Sequence, residues 1–223
     1  CEADRLDAVV GCTVVAGCTV VGSRDRDRTR SRFVGGEHGA HRCADEHGAE
    51  TRMVSFAHKK IEPCVACQQC EQQRSPCVLE DDWRALVEPL VDPVPDGLII
   101  GSPVYLYNVN ASLRAFMERC SSLLRRRWDP GFPHPTPDWS HTVAGALSVG
   151  ADRLAGQDQT TTAIVQWLLA CGFPVVSGDA LGAPAWSQDL TAKAPLEDSL
   201  GLSSARDLGR RVAGLAQHLA TDN

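Results

Sequence analysis

Short apolar runs recur along the chain, separated by segments with helical spacing. Residues 16–21, 51–56, 97–101, 142–149 and 173–177 read as strands, the first being a continuous apolar run of the kind buried in parallel sheets. Between them lie the predicted helices. One covers about 29–47 and is weakened by Gly35, Gly36 and Gly39, each about 1 kcal/mol less favourable than alanine in a helix. A second covers 83–91, with Asp81 or Asp82 as its N-cap. Asn110 opens a third, with Leu113, Phe116, Met117 and Leu124 on one face. The fourth, 157–171, is stopped by Gly172, and Ser203 caps a last helix carrying Leu208, Val212, Leu215 and Leu219 at helical spacing. Residues 1–15 read as an ill-defined lead. The run Cys-Thr-Val-Val at 12–15 is echoed at 18–21, and only the second copy leads directly into Gly22-Ser23. Alternation of strand and helix predicts one parallel sheet covered on both faces, and one domain over 1–223 without a linker.

One stretch stands outside this rhythm. Cys64, Cys67 and Cys70 form a C-x2-C-x2-C run, and Cys77 follows after six residues; Pro63 directly before Cys64 and Pro76 directly before Cys77 stiffen the entry and the return. Three thiolates at this spacing can take three corners of one iron–sulfur cube, and Cys77 the fourth. A four-thiolate zinc site normally presents two well-separated pairs, and a redox disulfide leaves two thiols unused. The iron–sulfur reading is therefore preferred, with zinc and disulfide chemistry as the alternatives. A second cysteine set for a two-cluster arrangement is lacking, so one cluster is expected.

Composition changes this picture little. The chain has 223 residues, enough for one sizeable α/β core, with ordinary apolar and charged fractions of 43 % and 22 %. A net charge of −6 gives no basis for nonspecific nucleic-acid binding. The six other cysteines, Cys1, Cys12, Cys18, Cys43, Cys120 and Cys171, lie mostly in apolar or helical context, which fits a reducing cytoplasm better than a secreted disulfide scaffold. No segment has the length of a membrane span, and the apolar stretch 8–22 lacks a basic lead-in. The chain opens on Cys1 rather than methionine, which suggests truncation or processing in preference to a lipidated N-terminal cysteine. His38, His41, Cys43 and His47 read as solvated surface rather than a metal site, and Arg125 to Arg127 as a complement to a helix dipole or a solvated patch rather than a nucleic-acid contact.

In open parallel sheets, ligands bind beyond the carboxyl ends of the strands where strand order reverses, which for a five-strand order 2-1-3-4-5 lies between strands 1 and 3. The two loops there differ in chemistry. The loop 23–31 offers hydroxyls, Arg24 and a helix start, a set suited to phosphate. The loop 102–110 offers a proline-stiffened backbone and two tyrosines, suited to gripping a flat ring system. The cysteine loop follows strand 2, so the two centres are expected to be neighbours across strand 1 or across a subunit boundary.

Gly22-Ser23-Arg24, the cysteine run led in by Ile61-Glu62-Pro63, and Gly101-Ser102-Pro103-Val104-Tyr105 with Asn108 and Ser112 resemble the iron–sulfur flavoproteins. These belong to the flavodoxin-like NAD(P)H-dependent FMN reductase superfamily, and the resemblance runs from about Val14 to the last helix. It implies an α/β, flavodoxin-like three-layer sandwich. It also implies FMN, a 4Fe–4S cluster on Cys64, Cys67, Cys70 and Cys77, and a homo-dimer or homo-tetramer that brings the two together. By position, Ser23, Arg24, Thr29 and Ser31 would hold the FMN phosphate. Pro103, Val104, Tyr105, Leu106, Tyr107 and Asn108 would wrap the ring, and Gly150 would close its far side, with Gln157 and Thr160 nearby. The loop at 22–29 departs from the family's usual Gly-Ser-Pro-Arg: it lacks the proline. The implied activity is electron transfer between cluster and FMN to a small-molecule acceptor, fed by a ferredoxin-like donor or by NAD(P)H. The alternatives are an NAD(P)H-dependent FMN or quinone-type reductase, and a non-catalytic redox sensor or zinc-stabilised module. Neither nucleic acid nor membrane is an expected partner.

Overall fold

Five parallel strands share one sheet in the order β2-β1-β3-β4-β5, where β1 is Val10–Ala16, β2 Ala49–Ser55, β3 Gly97–Pro103, β4 Val143–Gly150 and β5 Ala183–Trp186. The helices are α1 Gln69–Gln72, α2 Trp83–Val91, α3 Ala111–Arg119, α4 Gln157–Cys171 and α5 Ser199–Thr221, with a 3₁₀ segment Cys120–Arg127 continuing α3. This computed structural model describes residues 10–16, 49–127, 131, 137–150, 155–178, 183–186 and 198–221.

The central strands explain the apolar runs. β3 and β4 are buried almost throughout, because helices cover both faces of the sheet. Alternation along each strand then sorts the side chains. Leu98, Ile100, Ala144 and Ala146 join Trp83, Leu86, Leu113, Phe116, Ile164 and Leu168 from α2, α3 and α4. Ile99, Val143 and Leu147 join Ala205, Leu208, Val212 and Ala216 from α5 on the opposite face. Among the described residues, α2, α3 and α4 therefore lie on one side of the sheet and α5 on the other. Among the described residues no helix is long and apolar enough to cross a membrane.

Gly145 marks the closest approach of α5 to the sheet: a Cβ there would lie 2.5 Å from Leu208 Cδ1. Leu208 is fully buried and has little room to yield. Gly145→Ala is therefore expected to lower stability by about 1–3 kcal/mol, measured by thermal melting. An unchanged melting temperature would show that the leucine has space to move.

Three elements differ from the sequence reading. β1 lies over Val10–Ala16, all but its last residue within the segment read as a lead, and shares only Ala16 with the predicted strand 16–21. The duplicated Cys-Thr-Val-Val run is the reason: both copies are β-branched, and tertiary pairing selects the first, with Thr13 opposite Leu98 and Val15 opposite Ile100. The edge of the sheet next to β4 is interrupted. Val175 forms a single bridge to Ala144, and the regular pairing resumes at β5, with Ala183 opposite Leu147 and Trp186 opposite Gly150. Pro174 has no N–H to extend the first contact towards its N-terminal side. Finally, α5 begins about a turn before Ser203, where Asp198 Oδ1 accepts the Gly201 N–H at 3.1 Å. The predicted helix at about 29–47, and with it His38, His41, Cys43 and His47, lies outside the described residues.

Candidate cofactor sites

The cysteine loop leaves β2 through buried Phe56 and a tight turn at His58, whose φ is 60°. From Glu62 onward little of it packs into the core, so its shape comes from the backbone. Left-handed residues fall between successive cysteines: Ala66 (φ 51°) between Cys64 and Cys67, Gln68 (φ 57°) between Cys67 and Cys70, and Arg74 (φ 50°) between Cys70 and Cys77. Non-glycine residues adopt this region at a cost of roughly 1–2 kcal/mol each, and such strain gathers at ligand-holding segments. Here each reversal redirects the chain between one thiol and the next. All four sulfur residues line one cavity of ≈ 270 Å³ together with Val65, Leu79, Arg119 and Ser122. None of the four thiols is in a disulfide; Cys64 and Cys67 are exposed, Cys70 and Cys77 half-buried. Among the described residues, no three His, Cys, Asp or Glu side chains converge tightly enough to form a metal-binding group. The four thiols thus share a cavity without closing on a point.

Cys77 is held differently from the other three. Its N–H donates to Ser122 Oγ at 3.0 Å, and that hydroxyl donates to the Arg119 carbonyl at 2.9 Å. Arg119 Nε–H points at Cys77 Sγ, 3.2 Å away. The same guanidinium pairs with Asp81, with side-chain exposures of 0 % and 2 %, and donates to the carbonyls of Glu62 (3.4 Å) and Leu79 (3.1 Å). It also lies over the Trp83 ring, 4.9 Å from the centroid.

Asp81 gathers the remaining threads, accepting from the backbone N–H of Glu62 at 2.8 Å and of Trp83 at 3.0 Å. Burial alone would push its carboxyl up. The hydrogen bonds from Arg119, Glu62 and Trp83, with the charge of Arg119, hold it below its ordinary value. The aspartates at 81 and 82 are therefore more than helix caps. Asp82 occupies the N-cap position of α2 but gives it no side-chain bond, binding Lys60 N–H and Lys59 Nζ instead.

The second site forms at the carboxyl ends of β3 and β4. Ser102 Oγ accepts the Asn110 N–H at 3.1 Å, and Asn110 Oδ1 accepts the Leu113 N–H at 3.1 Å, so the loop is locked to the cap of α3. Val104 N–H extends the ladder to the Val149 carbonyl. Tyr105 and Asn108 exchange backbone bonds of 2.9 and 3.1 Å around Leu106 (φ 48°) and Tyr107 (φ 65°). Two left-handed central residues are what a tight mirror-image hairpin turn requires. Leu106 is left 95 % exposed at its tip, and Tyr105 and Tyr107 are exposed on either side. Gly156, with φ 101°, sits against this turn: a Cβ there would lie 2.5 Å from the Tyr107 Cα. Gly150 is buried at the end of β4, and Pro103 and Val104 are half-buried.

Behind the turn, Gln157 Oε1 accepts the Ala155 N–H, and Ser148 Oγ contacts the Thr161 hydroxyl. Thr160 Oγ1 is buried with no hydrogen-bond partner among the described residues. Ser23, Arg24, Thr29 and Ser31 lie outside the described residues.

Two sequence expectations change here. The cysteine cavity and the 102–110 loop are not neighbours across β1. They lie at opposite ends of α3, which follows its cap Asn110, runs from Ala111 to Arg119, and at nine residues is about 14 Å long. Arg119 and Ser122 were also missed as site residues. Their signal is visible afterwards: Arg119 continues the i, i+3 line of Leu113 and Phe116, an ionic residue on an apolar stripe. Cys120 and Cys171 are buried thiols; burial pushes the Cys120 thiol well up, with nearby Cys171 adding to it, as suits a packed hydrophobe.

Residues 20–188 match the family described as NADPH-dependent FMN reductase. An iron–sulfur flavoprotein of Archaeoglobus fulgidus is 32 % identical over 196 residues, covering 86 % of this chain and 93 % of the relative. Among solved structures, RosB with a bound formylriboflavin phosphate intermediate superposes with a TM-score of 0.65 at 17 % identity, covering 95 % of this chain and 81 % of that one. A flavodoxin, WrbA-like protein from Agrobacterium tumefaciens gives a TM-score of 0.56 at 18 % identity, covering 94 % and 98 %. The two structures speak for a flavodoxin-like fold. The family match and the relative go further: this chain belongs to the NADPH-dependent FMN reductase family, within it to the iron–sulfur flavoproteins, and is an FMN-dependent oxidoreductase.

Proposed function

We propose that the chain is a cytoplasmic electron-transfer flavoprotein in which Cys64, Cys67, Cys70 and Cys77 hold one 4Fe–4S cluster and the β3 and β4 loops hold FMN. The observation that carries this is the donor set: four thiols, none in a disulfide, on one cavity, with a chain reversal between each pair. All-thiolate chemistry suits iron–sulfur ligation. The orphaned Thr160 hydroxyl and the exposed Tyr105-Leu106-Tyr107 turn fit a ring-binding region completed by a ligand.

Pro103, Val104, Tyr105, Leu106, Tyr107 and Asn108 would wrap the flavin ring, the exposed side chains of 105–107 shielding it from water, and Gly150 would close its far side. Ser23, Arg24, Thr29 and Ser31 take the phosphate. When bound, FMN supplies one- or two-electron exchange and the cluster one-electron exchange, so that together they convert between the two. No side chain is assigned a proton. With the two sites at opposite ends of α3, the arrangement suits a homo-dimer or homo-tetramer in which the cysteine cavity of one protomer faces the flavin loop of its partner. The 223 residues act as one FMN-binding domain, the donor is ferredoxin-like, and the acceptor is a small molecule. The family's description favours a second reading, in which NADPH reduces the flavin directly.

Anaerobic purification followed by counting iron, sulfide, zinc and flavin per chain tests the proposal. Four irons, four sulfides and one FMN are expected, and serine at any of the four positions 64, 67, 70 or 77 should remove most of the iron. Cys120→Ala should retain it. FMN with zinc, or without metal, would overturn the cluster. Flavin bleaching by NADPH alone would select the second reading.

A further inference from the structure

We infer that Arg119 is a positioning residue that sets the reduction potential of the centre held by Cys77. This rests on the cluster reading above and concerns a side chain outside the ligand set.

Three features separate Arg119 from an ordinary buried cation. First, its donors are divided. The two terminal nitrogens reach Asp81 and the carbonyls of Glu62 and Leu79, while Nε–H is left for Cys77 Sγ at 3.2 Å. A lysine could balance Asp81 but has no planar fork to address a carboxylate, carbonyls on both arms of the loop and a sulfur together. Second, its contacts bracket the cysteine run. Glu62 stands two residues before Cys64 and Leu79 two residues after Cys77, so one side chain fixes both arms of the loop. Third, the direct contact is selective. Cys77 is the thiol with a charge-assisted donor and a hydroxyl-anchored backbone, whereas Cys64 and Cys67 stand exposed. The site is asymmetric: one corner is pre-placed against a fixed positive group, and the loop carries the rest.

Hydrogen bonds to ligand sulfur and nearby charge are established determinants of iron–sulfur potentials. One added electron increases negative charge on the sulfurs. Arg119 favours that form, because its Nε–H bonds the sulfur directly while the Asp81 carboxylate is engaged by Arg119 and two backbone N–H groups. The residue therefore raises the potential, and its removal lowers it.

The test compares three full-length proteins, each reconstituted anaerobically: wild type, Arg119→Lys, and the double variant Arg119→Gln with Asp81→Asn. The double variant removes both buried charges together, so neither is left unpaired. Redox titration followed by EPR and absorbance reads cluster and flavin separately, and far-UV circular dichroism reads the fold. In the double variant the cluster's reduction equilibrium is expected to shift about tenfold towards the oxidised form, about 59 mV for one electron. The flavin potential should stay in place, with Arg119→Lys lying between double variant and wild type. A merely structural role would change stability and leave the cluster potential alone.

An unchanged cluster potential in a folded double variant overturns this inference while leaving the cluster assignment intact. A wild-type protein without iron overturns both. Should the variants not fold, pulsed EPR on reduced wild type grown with ¹⁵N-arginine decides. Hyperfine coupling to one arginine nitrogen is expected, and its absence overturns the inference.

Discussion

Replacing Asp81 with asparagine is expected to lower folding stability by about 3–5 kcal/mol, or about 6–20 °C in melting temperature for a chain of this size. The substitution is nearly isosteric, so the loss does not come from a cavity. It comes from Arg119, whose side chain is 0 % exposed and would remain charged without its counter-ion. Asparagine also turns one oxygen into a donor, which at Oδ2 would face both the Arg119 guanidinium and the Glu62 N–H, and at Oδ1 the Trp83 N–H. The pH dependence has a definite sign. Because the folded-state pKa of Asp81 lies below 3.8, its contribution is present above that pH and is lost as pH falls through the folded value. Wild type should therefore show a steeper acid limb below about pH 4 than Asp81→Asn. Adding Arg119→Gln to Asp81→Asn should restore part of the loss, since no buried charge is then left alone. Melting curves for the three proteins between pH 2 and 7 would check this, and parallel acid limbs would show that Asp81 is not the group responsible.

How much of this was legible beforehand depends on the range of the interaction involved. β3, β4 and α4 declare themselves locally. The apolar runs of β3 and β4 are nearly continuous, and Gly172 ends α4 in the left-handed conformation, with φ 88°, that glycine adopts most easily. Asn110 likewise caps α3 with its own side chain. The four cysteines were legible as a ligand set because spacing alone restricts what a short loop can do. β1 was not, since two copies of one β-branched run satisfy the same local rule and only pairing with β2 and β3 separates them. β5 was displaced for a related reason: the edge of the sheet is made in two pieces, and Val175 supplies just one bridge.

Arg119 was hidden by tertiary structure of another kind. Its partners, Cys77, Asp81, Glu62 and Leu79, lie 38 to 57 residues away in sequence. Local patterning puts it on the stripe of Leu113 and Phe116 but also at a helix C-terminus, where a cation is ordinary, and so does not point to its partners. The relative placement of the two sites fails to follow from strand order for the same reason. The cysteine loop folds down onto the end of α3 through Arg119 and Ser122 instead of remaining at the mouth of β2.

Substituting Gly156 with alanine is expected to weaken FMN binding by at least about tenfold, roughly 1.4 kcal/mol, while leaving the iron content unchanged. Two effects act at once. At φ 101° any Cβ is strained against its own backbone, and here it would also meet the Tyr107 Cα at 2.5 Å. A side-chain rotation cannot relieve a contact with backbone, so either the start of α4 or the Tyr105–Asn108 turn must shift, and overpacking of this kind costs about 1–3 kcal/mol. The turn is the softer of the two: its residues 105–108 are exposed, and among the described residues it is closed by the reciprocal backbone bonds between Tyr105 and Asn108. The displaced residues are those assigned to shield the flavin ring. Gly172→Ala separates strain from contact. It sits at the other end of α4 in the same left-handed region, so it should lower stability without changing flavin affinity. Fluorescence titration of apoprotein with FMN measures both variants. Equal weakening by the two would mean that the flavin responds to the stability of α4, and wild-type affinity in Gly156→Ala would remove the Tyr105–Asn108 turn from the flavin site.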